Sequence, residues 1–184
     1  SPDPERFIAH CRWLLSQHVG LAVFGTNSEA NSQSVSERME LLEALVAAGL
    51  DTTRMMPGTG CCALTDTVRL TMHAVQLGCA GVLMLPPFYY KGVPDGGLVA
   101  YIESLVKATE QRPIPFYLYH FPAMSGLPWH VALIRRLLDS FPSRIVGLKD
   151  SSGDMAYARS AAAISKNFAV FPSTEACLLE ARRG

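Results

Sequence analysis

Residues 144–154 read Arg-Ile-Val-Gly-Leu-Lys-Asp-Ser-Ser-Gly-Asp, an apolar run that stops at a lysine and an aspartate and then turns small and polar. A short, wholly apolar run bounded by turn residues is the pattern of a strand buried on both faces. The design recurs at 19–25 (VGLAVFG), 53–59 (TRMMPGT), 80–86 (AGVLMLP), 114–120 (IPFYLYH) and 168–174 (FAVFPST). With 144–150, these runs begin 34, 27, 34, 30 and 24 residues apart, room for one strand, one loop and one helix each.

Helix signals fill the intervals. Ser34-Val35-Ser36-Glu37 is a capping box that leads into an amphipathic stretch ended by Gly49, and a second stretch starts at Thr65 as cap and stops at Gly78. Residues 95–110 and 128–141 supply two more, the latter with Val131, Ile134 and Leu138 on one face. Apolar strands alternating with helices give a parallel sheet covered on both sides.

Two architectures satisfy that pattern, an open doubly wound sheet and a closed (β/α)8 TIM barrel. The open sheet calls for a dinucleotide fingerprint, and Gly58-Thr59-Gly60-Cys61-Cys62-Ala63 matches G-x-G-x-x-A. However, the acidic residue due about 20 positions later falls in the apolar stretch 81–87. The barrel explains a further regularity: the strands end in polar or reactive groups, among them Thr26-Asn27-Ser28-Glu29, Tyr89-Tyr90, Tyr119-His120 and Lys149-Asp150. A full barrel takes about 250 residues. Six units behind an opening helix at 4–18 therefore read as strands two to seven of a barrel, a single domain over 1–184 cut at both ends.

Sixteen basic side chains balance sixteen acidic ones, which argues against nucleic acid or an anionic membrane as partner and for a small molecule. The longest apolar run, 80–88, is far short of the roughly 20 residues a bilayer requires, and the first ten residues lack the basic start and apolar core of a secretion signal. Cys11, Cys61, Cys62, Cys79 and Cys177 make an odd set without C-x-x-C spacing, so a reducing cytoplasm is the expected compartment. The five histidines show no ligand spacing, and no metal site is expected.

Of only four lysines, Lys91, Lys107 and Lys166 have loop, helix or turn positions that suit solvent. Lys149 closes an apolar strand, where partial desolvation lowers its pKa and leaves neutral amine free to attack a carbonyl. The alternative is a strand-end lysine paired with Asp150. Tyr119 also ends its strand, either as a proton carrier at the barrel mouth or as an aromatic plug with a satisfied hydroxyl. Thr26 and Asn27 open the first loop, as proton relay and carboxylate binder or as plain turn formers.

The segments GTNSEA (25–30), PGTG (57–60), PPFYYKG (86–92), YHFPAMSG (119–126) and GLKDSSGD (147–154) together resemble the signature segments of the dihydrodipicolinate synthase and N-acetylneuraminate lyase family, in order and spacing. The resemblance implies a (β/α)8 barrel, commonly a homo-oligomer (dimer or tetramer), that forms a Schiff base between a strand-six lysine and pyruvate or a related 2-oxo acid. No metal or organic cofactor is implied beyond the covalent lysine imine. Lys149 matches the nucleophile, Tyr119 the proton-shuttling tyrosine and Thr26 the first hydroxyl residue of the family's loop. Tyr89 or Tyr90 matches a tyrosine that reaches into a neighbouring subunit's site.

Three departures stand out. Asn27 replaces a second Thr, Ser173 a common Gly near the pyruvate carboxylate, and Met124 the Arg that in dihydrodipicolinate synthases binds the aldehyde's carboxylate. The expected activity is that of a class I lyase or aldolase joining a 2-oxo acid and an aldehyde, with Met124 favouring an uncharged or apolar aldehyde. Dehydration of a deoxy-sugar acid through the same imine, and binding of 2-oxo acids without turnover, are the alternatives.

Overall fold

In the computed structural model, which describes residues 2–174, four strands lie parallel in chain order: β1 (Val82–Met84), β2 (Phe116–His120), β3 (Ile145–Asp150) and β4 (Ala169–Phe171). Chain order with a helix at each crossover is the arrangement of a barrel wall, whereas a doubly wound sheet reverses its order partway. The runs 19–25 and 53–59 extend the array without becoming full strands. Leu21 bridges Met55 and Gly58 bridges Leu83, both parallel. The Met56 and Gly58 amides donate to Leu21 and Val23 at 2.8 and 2.7 Å. Three local features shorten these two runs. Pro57 has no N–H to give, Phe24 sits at φ 61°, and Thr52–Arg54 coils into a 3-10 turn.

Side chains alternate across this wall. Leu83, Leu85 and Tyr119 pack inside with Ala22, Phe88, Tyr117 and Phe121. Val82, Met84, Phe116, Leu118 and Leu148 face outward into the main core. That core is covered by α1 (Pro4–Ser16), α2 (Val35–Ala47), α3 (Leu64–Gln76), α4 (Asp95–Ala108), α6 (Val131–Ser140) and α7 (Met155–Ala162); α5 (Pro122–Ser125) is a single turn. No helix among the described residues is long and apolar enough to cross a membrane.

The capping box forms as expected, with Ser34 Oγ taking the Glu37 N–H at 3.2 Å and Glu37 Oε2 taking the Ser34 N–H at 2.8 Å. Gly49 and Gly78 follow their helices at φ 76° and 73°. Thr65 is not the cap of α3. The helix starts two residues earlier, at Leu64 behind Ala63, and Thr67 Oγ1 holds the turn by accepting the Cys61 N–H at 3.0 Å. On α6 the buried stripe is Leu133, Ile134 and Leu137, with Val131 and Leu138 at its margins.

The glycines of 58–60 answer to packing. A Cβ at Gly58 would run into the Phe24 carbonyl, and one at Gly60 into the Leu85 backbone. At the far end of the sheet, the buried Arg144 donates to the Ile114 and Val106 carbonyls at 3.1 and 3.3 Å and to Thr109, tying α4 to the start of β2.

Candidate active site

Adjacent parallel strands in register put Tyr119 of β2 directly beside Lys149 of β3. Both side chains point inward at the carboxyl ends, and the Lys149 Nζ lies 4.2 Å from the centre of the Tyr119 ring. Alternation places residue 151 on the same side as 149. The Lys149 Nζ accordingly donates to Ser151 Oγ at 3.4 Å. At the tip of the ring, the Tyr119 hydroxyl and Thr26 Oγ1 are 3.0 Å apart. Thr26 is set there by a 3-10 turn (Thr26–Ser28) that Glu29 closes at φ 51°. Thr26, Tyr119 and Lys149 come from three segments and form one linked group.

Its electrostatics favour proton transfer. Burial pushes the Tyr119 phenol up, but hydrogen bonding with Thr26, Ser151 and Lys149, together with the Lys149 charge, outweighs it and leaves the phenol more acidic than usual. The space beside Thr26 and Tyr119 is tight, a cavity of about 10 Å³ walled by Gly25, Gly58, Gly60 and Leu83.

Lys149 is not paired with Asp150. The aspartate is fully buried on the opposite face and accepts the Ser152 N–H at 2.9 Å. Asn27 is exposed on its turn. Tyr89 and Tyr90 are 73% and 75% exposed and meet edge to face at 5.1 Å, outside the linked group. Met124 is 60% exposed on α5. Ser173 is partly buried, and its Oγ has no hydrogen-bond partner among the described residues. Cys177 lies outside the described residues.

Lys91 is exposed on its loop, as expected, yet its amine is tied down. It donates to the Phe88 carbonyl and, at 3.0 Å, to the Ser125 carbonyl, tying the tyrosine loop to the turn that holds Met124. Neither this tie nor Ser151 was singled out from sequence. The i, i+2 spacing of Lys149 and Ser151 was the available signal for the serine, and nothing in the pattern announces the lysine's reach.

The model of the dihydrodipicolinate synthetase family matches residues 11–183. A protein described as an uncharacterized DapA-like lyase of Chloroflexus aurantiacus is 39% identical over 140 residues, 76% of this chain and 46% of its own length. A 4-hydroxy-tetrahydrodipicolinate synthase of Thermus thermophilus is 32% identical over 138 residues, 75% of this chain and 45% of its own. Among solved structures, dihydrodipicolinate synthase from Agrobacterium tumefaciens C58 superposes with a TM-score of 0.93 at 28% identity, over 98% of this chain and 63% of that one. The pyruvate complex of Escherichia coli YagE gives 0.85 at 27%, over 98% and 61%. These neighbours are (β/α)8 TIM barrels, and the described arc is part of such a barrel. The chain spans about half the length of the curated relatives it matches.

Proposed function

The chain belongs to the dihydrodipicolinate synthetase family, and from that premise we propose that it acts as a class I lyase or aldolase, Lys149 forming an imine with pyruvate or a related 2-oxo acid. The observation that carries this reading is the Lys149 Nζ over the Tyr119 ring, with the phenol bonded to Thr26.

The neutral Lys149 amine attacks C2 of the 2-oxo acid, and the carbinolamine loses water to give the protonated imine. Tyr119 brings a proton to the departing hydroxyl, with Thr26 as its hydrogen-bonded reserve. The cationic imine draws electrons from C2, so C3 gives a proton to the phenolate that the dehydration leaves on Tyr119 and becomes an enamine carbon able to add to an aldehyde. The reverse path cleaves that carbon–carbon bond, and hydrolysis returns the lysine. No partner beyond the covalent imine is needed. The exposed Tyr89–Tyr90 pair suits a role at a neighbouring subunit's site in a dimer or tetramer.

Met124 supports an uncharged or apolar aldehyde, since a second carboxylate needs a fixed cation and methionine offers none. The relative described as the putative 2-dehydro-3-deoxy-D-gluconate aldolase YagE, 30% identical over 141 residues, is about as similar to this chain as the synthase is, so likeness alone does not favour aspartate semialdehyde. Borohydride reduction in the presence of pyruvate, followed by peptide mass mapping, is expected to label Lys149, and Lys149→Ala to abolish labelling. Labelling of Lys91 or Lys107 instead would refute the assignment. Kinetics with a panel of aldehydes tests the partner, and efficient use of aspartate semialdehyde would sink the apolar preference.

A further inference from the structure

The loop that follows β1 is held at one point. Pro86 and Pro87 have no N–H to give, and residues 86–93 form no backbone pair with any described residue. Their only hydrogen bonds among the described residues are those of Lys91, whose Nζ donates to the Phe88 carbonyl and, at 3.0 Å, to the Ser125 carbonyl. Ser125 ends the α5 turn, and its carbonyl has no partner within that turn.

The turn that receives the lysine is stiff. Ser125 is fully buried, its Oγ takes the Leu127 N–H at 3.1 Å, and the Ser125 and Gly126 amides donate to the Phe121 and Pro122 carbonyls at 2.9 and 2.8 Å. Gly126 makes way for the incoming side chain. It stands at φ 68°, and a Cβ there would lie 2.7 Å from Lys91 Cδ. Both joined segments also carry a ring toward the reacting groups. Phe88 and Phe121 pack on the inner cluster of Leu83, Leu85 and Tyr119, and the Phe121 ring centre is 5.9 Å from that of Tyr119.

A loop with so few bonds of its own opens readily unless something fixes it. An ammonium shared by two carbonyls is a stronger tie than a neutral hydrogen bond. We propose that Lys91 is a positioning residue for the second substrate: it clasps the loop 86–93 to the α5 turn, so that Phe88, Phe121 and Met124 form a set apolar wall beside Tyr119 before an aldehyde binds. The ammonium serves the protein's own carbonyls rather than the substrate. This rests on the imine chemistry at Lys149, and the experiment reads the two apart.

The full chain is assayed with pyruvate and either D-glyceraldehyde, which is uncharged, or succinic semialdehyde, which bears a carboxylate. It is digested in parallel with chymotrypsin, which cuts after Phe88, Tyr89 and Tyr90. Lys91→Met keeps the stem and removes the donors. The aldehyde KM is expected to rise about five- to tenfold with both probes while kcat and borohydride trapping of pyruvate hold, because only molecules with the wall in place bind the aldehyde. Cutting at 88–90 should quicken by a similar factor. Lys91→Arg, which can reach both carbonyls, restores both readings. Gly126→Ala pushes the stem aside and reproduces the loss, and combining it with Lys91→Met brings no further rise. A loss confined to succinic semialdehyde would make Lys91 a substrate cation and overturn the clasp. So would an unchanged KM, whether or not cutting quickens, and so would an unmodified chain that traps pyruvate yet takes neither aldehyde. Failure of the unmodified chain to trap pyruvate would instead overturn the Lys149 reading, and the cutting rates would still decide whether Lys91 holds the loop.

Discussion

The two ends of the parallel array are held by different means. β2 and β3 pair from Phe116 through His120 with one irregularity near Phe116, so register alone sets Tyr119 against Lys149. The segments 19–25 and 53–59 touch through a few hydrogen bonds and single bridges, and Thr26 gets its place from a tight turn and from the glycine at 58 that lets Phe24 close in. The linked group therefore straddles a ladder-defined half and a turn-defined half. Lys149 and the Tyr119 ring belong to the first, and the Thr26 hydroxyl belongs to the second.

The largest test of that division is Tyr119→Phe, which removes the one hydroxyl both halves share. Trapping of the pyruvate imine is expected to slow by roughly 10²- to 10⁴-fold, the usual cost of lost acid–base help. Thr26→Val leaves the phenol in place and should cost only about fivefold, the worth of one neutral hydrogen bond. Equal losses would mean that the turn, rather than the ladder, governs the relay. An unchanged rate in Tyr119→Phe would make the ring a plug.

A smaller effect is expected where the two halves meet. In Gly58→Ala the new methyl collides with the Phe24 carbonyl, backbone that cannot step aside, so the fold should lose about 3 kcal/mol. Gly153→Ala, in the turn after β3, meets open space and bears only the left-handed φ of 79°, about 1 kcal/mol. Denaturant melts of the two variants check the ranking. Should Gly58→Ala be the milder, the turn-defined half is more pliant than its close contacts imply.

The legibility of the sequence follows the same division. Lys149 and Tyr119 could be picked out because an apolar run that ends in a reactive group fixes both position and face. In the run 53–59 the missing donor of Pro57 is legible in the sequence, whereas the positive φ of Phe24 in the apolar run 19–25 is backbone geometry that composition does not record. Long-range side-chain ties were hidden altogether. Lys91 bonding to Ser125 spans 34 residues, and the burial of Asp150 depends on helices packed over the outer face. Adjacency in sequence makes Asp150 look like a partner for Lys149, and adjacency in a strand is what sends the two to opposite faces.

The smallest expected effect concerns acid, and it belongs to the ladder-defined half. Burial holds the His120 imidazole below its ordinary value of 6.5, against the opposing charges of Asp150 and Asp154. With the folded-state value lower than the unfolded one, the unfolded chain takes up a proton first as the pH falls. The stability contributed by the neutral imidazole is thus complete above 6.5, declines as the pH drops from there towards the folded-state value, and levels off below it. Melting temperatures at about pH 7.5 and about pH 5.5 should show the unmodified chain losing more on acidification than His120→Gln, which has nothing to titrate at that site. Hydrogen exchange should place the loss at β2 and β3 rather than at 19–25. Identical acid sensitivity in the two proteins would remove His120 as its source, and exchange that loosens first at 19–25 would assign the acid response to the turn-defined half instead.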